Sequence, residues 1–183
     1  DIEIEVFQGT YDDVTYWLKN GVVDLGFLST SSAKDIPIEP LWRDPLLCIV
    51  PKGMKKEKDT DYMDIGEIRN HQFVTQREST DADIQNFLKE NSINIQSNYH
   101  VVDDLSTVAM VANGFGICLM PQMVMRDIPY EVDCYPVQPY AERVIGLATL
   151  HPEFLAPAVR SMYNHILENY KEDFSSKTKK SDI

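Results

Sequence analysis

The sequence predicts an α/β fold of two lobes joined by a hinge. Apolar runs of strand length alternate with stretches of helical periodicity, once in each half of the chain. The chain also changes character near Val50–Lys52 and again near Gln138–Ala141. These crossings assign about 1–51 plus 140–183 to a discontinuous lobe I and 52–139 to lobe II. The 183 residues, 43% hydrophobic and 25% charged, suffice for two small lobes with real cores.

The elements follow in order. Ile2, Ile4 and Val6 alternate with Glu3 and Glu5, so 2–7 reads as a strand with one wet face. Thr10 can cap the next helix, with Asp13 three residues on. Val14, Trp17 and Leu18 form its apolar stripe and Gly21 ends it. Val23 to Leu28 is a strand that completes a βαβ unit with parallel strands. Ile36–Trp42 and Leu46–Val50 read as two strands separated by Arg43-Asp44. Pro51–Asp61 is a charged surface stretch, and Asp64–Arg69 a short helix. Gln72–Thr75 is a strand. A helix capped by Ser79 or Thr80 runs to Asn91 with Ile84, Phe87 and Leu88 inward. Asn98–Val102 leads into a helix bearing Leu105, Val108, Ala109, Val111 and Ala112, stopped by Asn113-Gly114. Phe115 to Met120, closed by Pro121, has the pattern of an interior parallel strand. Gln122–Arg126 is a short helix, and Tyr130–Val137 and Val144–Leu150 are strands. The last helix runs from about Glu153 to Glu172 and carries Leu155, Val159, Met162, Ile166 and Tyr170 on one stripe; Pro157 fits only a first turn, which moves the start toward Ala156.

Composition excludes several functions. A net charge of −12 argues against this chain gripping a nucleic-acid backbone, which requires clustered Lys and Arg. Only Lys177–Lys180 is basic, and it reads as a solvated tail. No apolar run approaches the ~20 residues that cross a bilayer, so no membrane role is expected. No signal peptide is visible. Cys48, Cys118 and Cys134 have no metal or redox spacing, and the first two lie in apolar runs as small hydrophobes. This fits a reducing, cytoplasmic setting. The four histidines, His71, His100, His151 and His165, are scattered, so no metal site and no cofactor are expected. No Gly-x-Ser-x-Gly or phosphate-loop motif is present, and no catalytic residues are assigned.

The run Val101-Val-Asp-Asp-Leu-Ser-Thr-Val-Ala-Met-Val-Ala-Asn-Gly-Phe-Gly-Ile-Cys-Leu-Met-Pro121 resembles the "VaaGlGia-lP" signature of the effector-binding domain of LysR-type transcriptional regulators. Gly21-Val-Val-Asp-Leu-Gly-Phe-Leu28 resembles the family's "G-x-l-D-l-a-l" turn and strand. The two occur in the family's order, and the resemblance covers roughly Asp1 to Tyr170. It implies two Rossmann-like lobes with a hinge, a periplasmic-binding-protein type 2-like fold. It also implies a strand and a helix ahead of 2–7, which this chain lacks. The resulting gap would close by re-pairing, be filled by a partner chain, or stay open. A conventional first strand made from 2–7 in an intact sheet would contradict this alignment. The family's helix-turn-helix module has no counterpart in 1–183, so DNA would be reached only through a module outside this sequence.

Candidate ligand-binding residues follow from open α/β sheets, where ligands sit beyond the carboxyl ends of strands and near helix N-termini. They are Thr10, Ser29, Thr30, Thr75, Gln76, Arg77, Ser79, Thr80 and Asp104. By resemblance, Ser79-Thr80 matches the family's lobe II effector loop. Thr10, Ser79 and Thr80 serve equally as helix caps, Ser29 and Thr30 as a solvated loop, and Arg77 as a surface charge. Arg77 would suit a carboxylate effector. Asp81, Asp83, Asp12 and Asp13 suit a ligand that also carries an amine or hydroxyls. Asp103 and Asp104 read first as cap and dipole partner. Trp17, Trp42 and Phe115 read as core.

The expected function is ligand sensing. A small metabolite binds in the inter-lobe cleft and shifts the lobe and dimer arrangement. The expected partners are a small-molecule effector, carboxylate-bearing, and a second copy in a homodimer or higher oligomer. By resemblance, the Val108-centred helix takes part in pairing. The alternative is a solute-binding protein of a transport system with the same bilobal fold; a third reading is an enzyme on that scaffold.

Overall fold

The computed structural model describes residues 3–33, 35–76, 82–95, 97, 99–101 and 103–172. Chain order is α1 (Tyr11–Lys19), β1 (Gly26–Ser29), β2 (Ile38–Pro51), β3 (Met63–Asp64), α2 (Ile65–Ile68), β4 (Val74–Gln76), α3 (Ala82–Glu90), β5 (Tyr99–Val101), α4 (Asp104–Ala112), β6 (Cys118–Pro121), β7 (Val132–Gln138), β8 (Glu142–Ala148) and α5 (Pro157–Tyr170). Short 3-10 turns occupy Gln122–Asp127 and Pro152–Phe154. Two compact units result, Asp1–Arg43 with Val144–Ile183, and Asp44–Arg143. The chain passes between them inside β2, a continuous 14-residue strand, and inside β8. The break expected at Arg43-Asp44 does not occur. Asp44 is buried and paired there, so its charge does not force a turn.

In the first unit β1 runs antiparallel to β8, Gly26 opposite Ala148 through Ser29 opposite Ile145. The parallel βαβ unit expected from 2–28 is therefore replaced by this antiparallel pairing. Residues 3–9 join no strand, and Ile4 and Val6 stay 60% and 85% exposed. Alternation marks residues able to face a core, but a strand forms only when a neighbouring backbone takes its N–H and C=O groups. Among the described residues β1 has β8 as its only ladder neighbour. Leu18, Leu28, Ile36 and Ala148 form one cluster, and Leu41, Leu147 and Ile166 another. Met162, Tyr163 and Leu167 of α5 join the second cluster, whereas Tyr170 is 54% exposed. Pro157 opens α5, where its missing N–H costs nothing.

Helix α1 starts with a capping box. Thr10 Oγ1 accepts from the Asp13 N–H, and the Asp13 carboxylate accepts from the Thr10 N–H at 2.9 Å. Those bonds from Thr10 hold the Asp13 carboxyl below its ordinary range. With the folded value lowered, this support is present above the unfolded value and is lost as pH falls through the folded one. Thr10→Ala is expected to lower stability by about 1 kcal/mol, read as the midpoint shift in urea unfolding.

In the second unit the latter half of β2 is flanked by β6 and β7, both antiparallel to it, and β3 lies parallel to β7. Alternate residues of β2 face opposite ways. Leu46, Cys48 and Val50 meet Ile68, Ile84, Phe87 and Leu88, while Leu47 and Ile49 meet Val108 and Val111. Burial lifts the Cys48 thiol well above its ordinary range, so it is an inert packing group. A separate parallel pair, β4 and β5, matches Thr75 with His100 and Gln76 with Val101.

The signature run needs two corrections. The strand after Gly114 is Cys118–Pro121 and runs antiparallel to β2; only Ile117 makes a parallel bridge, to Phe73. A strand covered on both faces reads as a continuous apolar run whichever way its neighbours point. Phe115 is 47% exposed rather than core, because the turn at Gly114, at φ +80°, carries it past the end of α4. Its ring meets Tyr99 edge-on at 5.6 Å. Trp17 lies against Phe7, and Trp42 stacks on Phe27. Val108 is fully buried; the exposed apolar side chain of α4 is Leu105, at 47%. Among the described residues no helix is long and apolar enough to cross a membrane.

Candidate functional site

The candidate residues that the structure describes fall into each unit separately. In the first unit, Thr10 is committed to the α1 cap. Ser29 ends β1 and is fully buried, not the solvated loop residue expected, with its hydroxyl 3.1 Å from that of Ser31. Thr30 is half-buried, and its N–H donates to the Val144 carbonyl at 2.8 Å.

In the second unit, Thr75 and Gln76 end β4, a position that opens beyond the carboxyl ends of the parallel pair. Arg77, Ser79 and Thr80 lie outside the described residues, as does the Gln76 side chain. Thr75 Oγ1 donates to the Tyr99 carbonyl at 3.1 Å and lies 3.3 Å from His100 Nδ1. The hydroxyl hydrogen is spent on the carbonyl, so His100 Nδ1–H is the donor to Oγ1. In a neutral ring that tautomer leaves Nε2 as an acceptor on an exposed side chain. A group presenting a hydroxyl or amine hydrogen is the natural partner for it.

Helix α4 begins beside this strand end, at Asp104. Its N-terminus is already served. Asp103 Oδ1 accepts from the Ser106 N–H at 2.8 Å, and the Thr107 N–H bonds to the Asp103 carbonyl. The Ser106 N–H holds the Asp103 carboxyl below its ordinary range, so it stays ionised at neutral pH. The positive end of α4 is thus neutralised from within the chain, and Asp104, exposed in the first turn, adds a second negative charge. An anion brought to this end would meet the charges of Asp103 and Asp104. A recess of about 20 Å³ beneath, reached by Thr75, Gln85 and Thr107, is far smaller than a metabolite.

His100 was missed by sequence reasoning. Its partner Thr75 is distant in the chain, and only the parallel register of β4 and β5 brings them together. The available signal was a histidine just ahead of a capped helix, at the end of an apolar strand. Among the described residues no group of three or more His, Cys, Asp or Glu is placed to hold a metal.

Comparison with known proteins gives a consistent result. The family model described as LysR substrate binding domain matches residues 1–171. YoaU of Bacillus subtilis (strain 168), an HTH-type transcriptional regulator by name, is 22% identical over 162 residues, covering 86% of this chain and 53% of the relative. LrrA of Synechococcus elongatus, named a probable HTH-type transcriptional regulator, is 23% identical over 160 residues with the same coverage, 86% and 53%. The chain therefore spans about half the length of these curated relatives. Among solved structures, the effector-binding domain of QuiR in complex with shikimate superposes with a TM-score of 0.77 at 23% identity, covering 88% of this chain and 78% of that one. The Synechocystis PCC6803 CcmR regulatory domain in complex with 2-PG gives 0.77 at 15% identity, covering 90% and 81%. These likenesses show the fold, which is that of LysR effector-binding domains, the type predicted.

Proposed function

Because the chain belongs to the LysR substrate-binding domain family, we propose that it is the ligand-sensing part of a DNA-binding transcriptional regulator. Its work is thermodynamic. A small effector binds one arrangement of the domain better than another and shifts the population by that difference in affinity. No covalent step is assigned to it. The relatives carry regulator names, which favours this reading over a transport-linked solute-binding protein.

The observation that carries the site is the Thr75–His100 pair at the carboxyl ends of β4 and β5. The effector we infer is a hydroxylated small molecule with a carboxylate. Its hydroxyl donates to His100 Nε2, and Gln76, Asp104 and the following Arg77, Ser79 and Thr80 are its further contacts. The carboxylate is assigned to Arg77, since the self-capped start of α4 is closed to it. Shikimate, held by the QuiR domain, is a ligand of this kind. In the first unit the corresponding proposal is Thr30, half-buried after β1, because Thr10 is committed to its cap and Ser29 is fully buried. Two copies pair through the Leu105 side of α4, and DNA is contacted by a module outside this chain.

A thermal-shift screen with hydroxylated monocarboxylates tests this reading. Saturable stabilisation by one compound class is expected. Thr75→Val should weaken binding of that compound about tenfold, the loss of roughly one hydrogen bond at 1.4 kcal/mol. No stabilisation by any of them, or an unchanged affinity in Thr75→Val, would overturn the assignment.

A further inference from the structure

Strands β4 and β5 pair in parallel over three residues each and form a sheet of their own. Parallel neighbours have no hairpin turn to set their register, and so short a pair is marginal by itself. Apolar alternation does part of the work. Tyr99 and Val101 pack on the cluster that holds Val108 and Val111, which leaves His100 exposed between them. A slip of two residues would keep those faces and still carry His100 away from Thr75. The register, Val74 opposite Tyr99 and Thr75 opposite His100, therefore needs a polar pin. Ser97, half-buried ahead of Tyr99, supplies one. Its Oγ accepts the Tyr99 N–H at 3.0 Å and lies 2.6 Å from the Phe73 carbonyl and 2.9 Å from the Tyr99 carbonyl. A hydroxyl has one hydrogen, which goes to the nearer acceptor, Phe73. The Tyr99 carbonyl keeps Thr75 Oγ1 as its donor. Phe73 is itself fixed, being buried and bridged in parallel to Ile117. The serine thus ties the first residue of β5 to the residue before β4.

We propose that Ser97 is a positioning residue for the ligand site at the carboxyl ends of β4 and β5: its hydroxyl sets the register that brings His100 Nδ1 to 3.3 Å from Thr75 Oγ1. Its weight in sensing rests on the effector reading of that site, whereas its geometry does not. Ser97 stands at the amino end of the pair and acts through Tyr99 and His100. Without the hydroxyl the two strands slide or part while each keeps its apolar anchor, and His100 loses the acceptor that selects its Nδ1–H form. An imidazole released to water favours Nε2–H, which turns the acceptor at Nε2 into a donor. Ser97 therefore decides which kind of hydrogen bond the exposed edge of His100 offers a ligand.

Long-range proton–nitrogen spectra of the imidazole rings test this at about pH 8, where an ordinary imidazole is neutral. Single His→Gln variants supply the assignments. In the wild-type chain His100 is expected mainly as Nδ1–H. In Ser97→Ala that form should drop to the minority. Ser97→Thr, which keeps the hydroxyl, should largely restore it, and Ser97→Cys, whose thiol bonds weakly, should fall between. Signals of His71, in the same unit, report that the fold persists. Thr10→Ala, a cap lost in the other unit, controls for general loosening and should leave His100 unchanged. A His100 still mainly Nδ1–H in Ser97→Ala, a Ser97→Thr that behaves like Ser97→Ala, or an equal change in Thr10→Ala would overturn this proposal alone. A wild-type His100 that is mainly Nε2–H would overturn it together with the Thr75–His100 pair on which the effector reading stands. No ligand enters the measurement, so the two failures are read separately.

Discussion

Gly116→Ala is expected to destabilise the chain by about 3 kcal/mol or more, a fall in Tm of roughly 6–12 °C. Gly116 sits at φ +142°, a conformation that side-chain-bearing residues rarely adopt. A Cβ there would lie 2.3 Å from the Gln72 carbonyl oxygen and 2.9 Å from its carbon. Both are backbone atoms, so no side chain can swing away. The same carbonyl accepts the Ile117 N–H at 2.9 Å, and the Val74 N–H returns to the Ile117 carbonyl. Moving Gln72 therefore breaks the bridge that joins the β4 segment to the chain entering β6. Gly114 is the internal control. It is at φ +80°, but a Cβ there meets nothing within 4 Å. Gly114→Ala should cost only the left-handed backbone term, about 1–2 kcal/mol. Thermal unfolding of the two variants side by side separates close approach from backbone conformation. Equal losses would contradict the packing argument.

Asp44→Ala is expected to cost about 3–5 kcal/mol, because it removes the buried carboxylate that Arg143 meets in a nearly dry site. Asp44 is fully buried; Oδ2 accepts from Arg143 Nε at 2.8 Å, and Oδ1 accepts from the Met123 N–H at 2.8 Å. The Arg143 side chain is 16% exposed. These residues lie where β2 and β8 enter the second unit, so the pair clamps both strands at that boundary. Arg143→Met alone should also be strongly destabilising, by leaving a buried carboxylate unpaired. The double variant Asp44→Leu with Arg143→Met should recover much of either loss, since an apolar pair of similar volume replaces a buried ion pair at little net cost. Urea unfolding of the four proteins closes the cycle. Additive losses in the double variant would show that the two side chains act independently.

Features governed by local chemistry were legible in the sequence. Thr10 with Asp13, Asp103 ahead of α4, and Gly114 after it follow from capping and left-handed backbone alone, and each is found in place. The Gly21–Leu28 and Val101–Pro121 motifs carried the family. What escaped depends on which backbone lies alongside. Ile4 and Val6 alternate correctly yet join no ladder, and Cys118–Pro121 runs antiparallel where an apolar run gives no direction. Asp44 read as a turn residue because its partner Arg143 is distant in sequence. His100 went unnoticed for the same reason, since Thr75 reaches it only through strand register. The place of Thr75 and Gln76 at the end of β4 was readable because a polar pair after an apolar strand marks the sheet's carboxyl edge.

Native mass spectrometry of the purified chain, with a compound that stabilises it, tests the central claim most directly. The account predicts one equivalent of that compound bound to the wild-type chain and strongly depleted in Thr75→Val. No adduct with any stabilising compound, or an adduct equally populated in Thr75→Val, would contradict a ligand-sensing site at the carboxyl ends of β4 and β5.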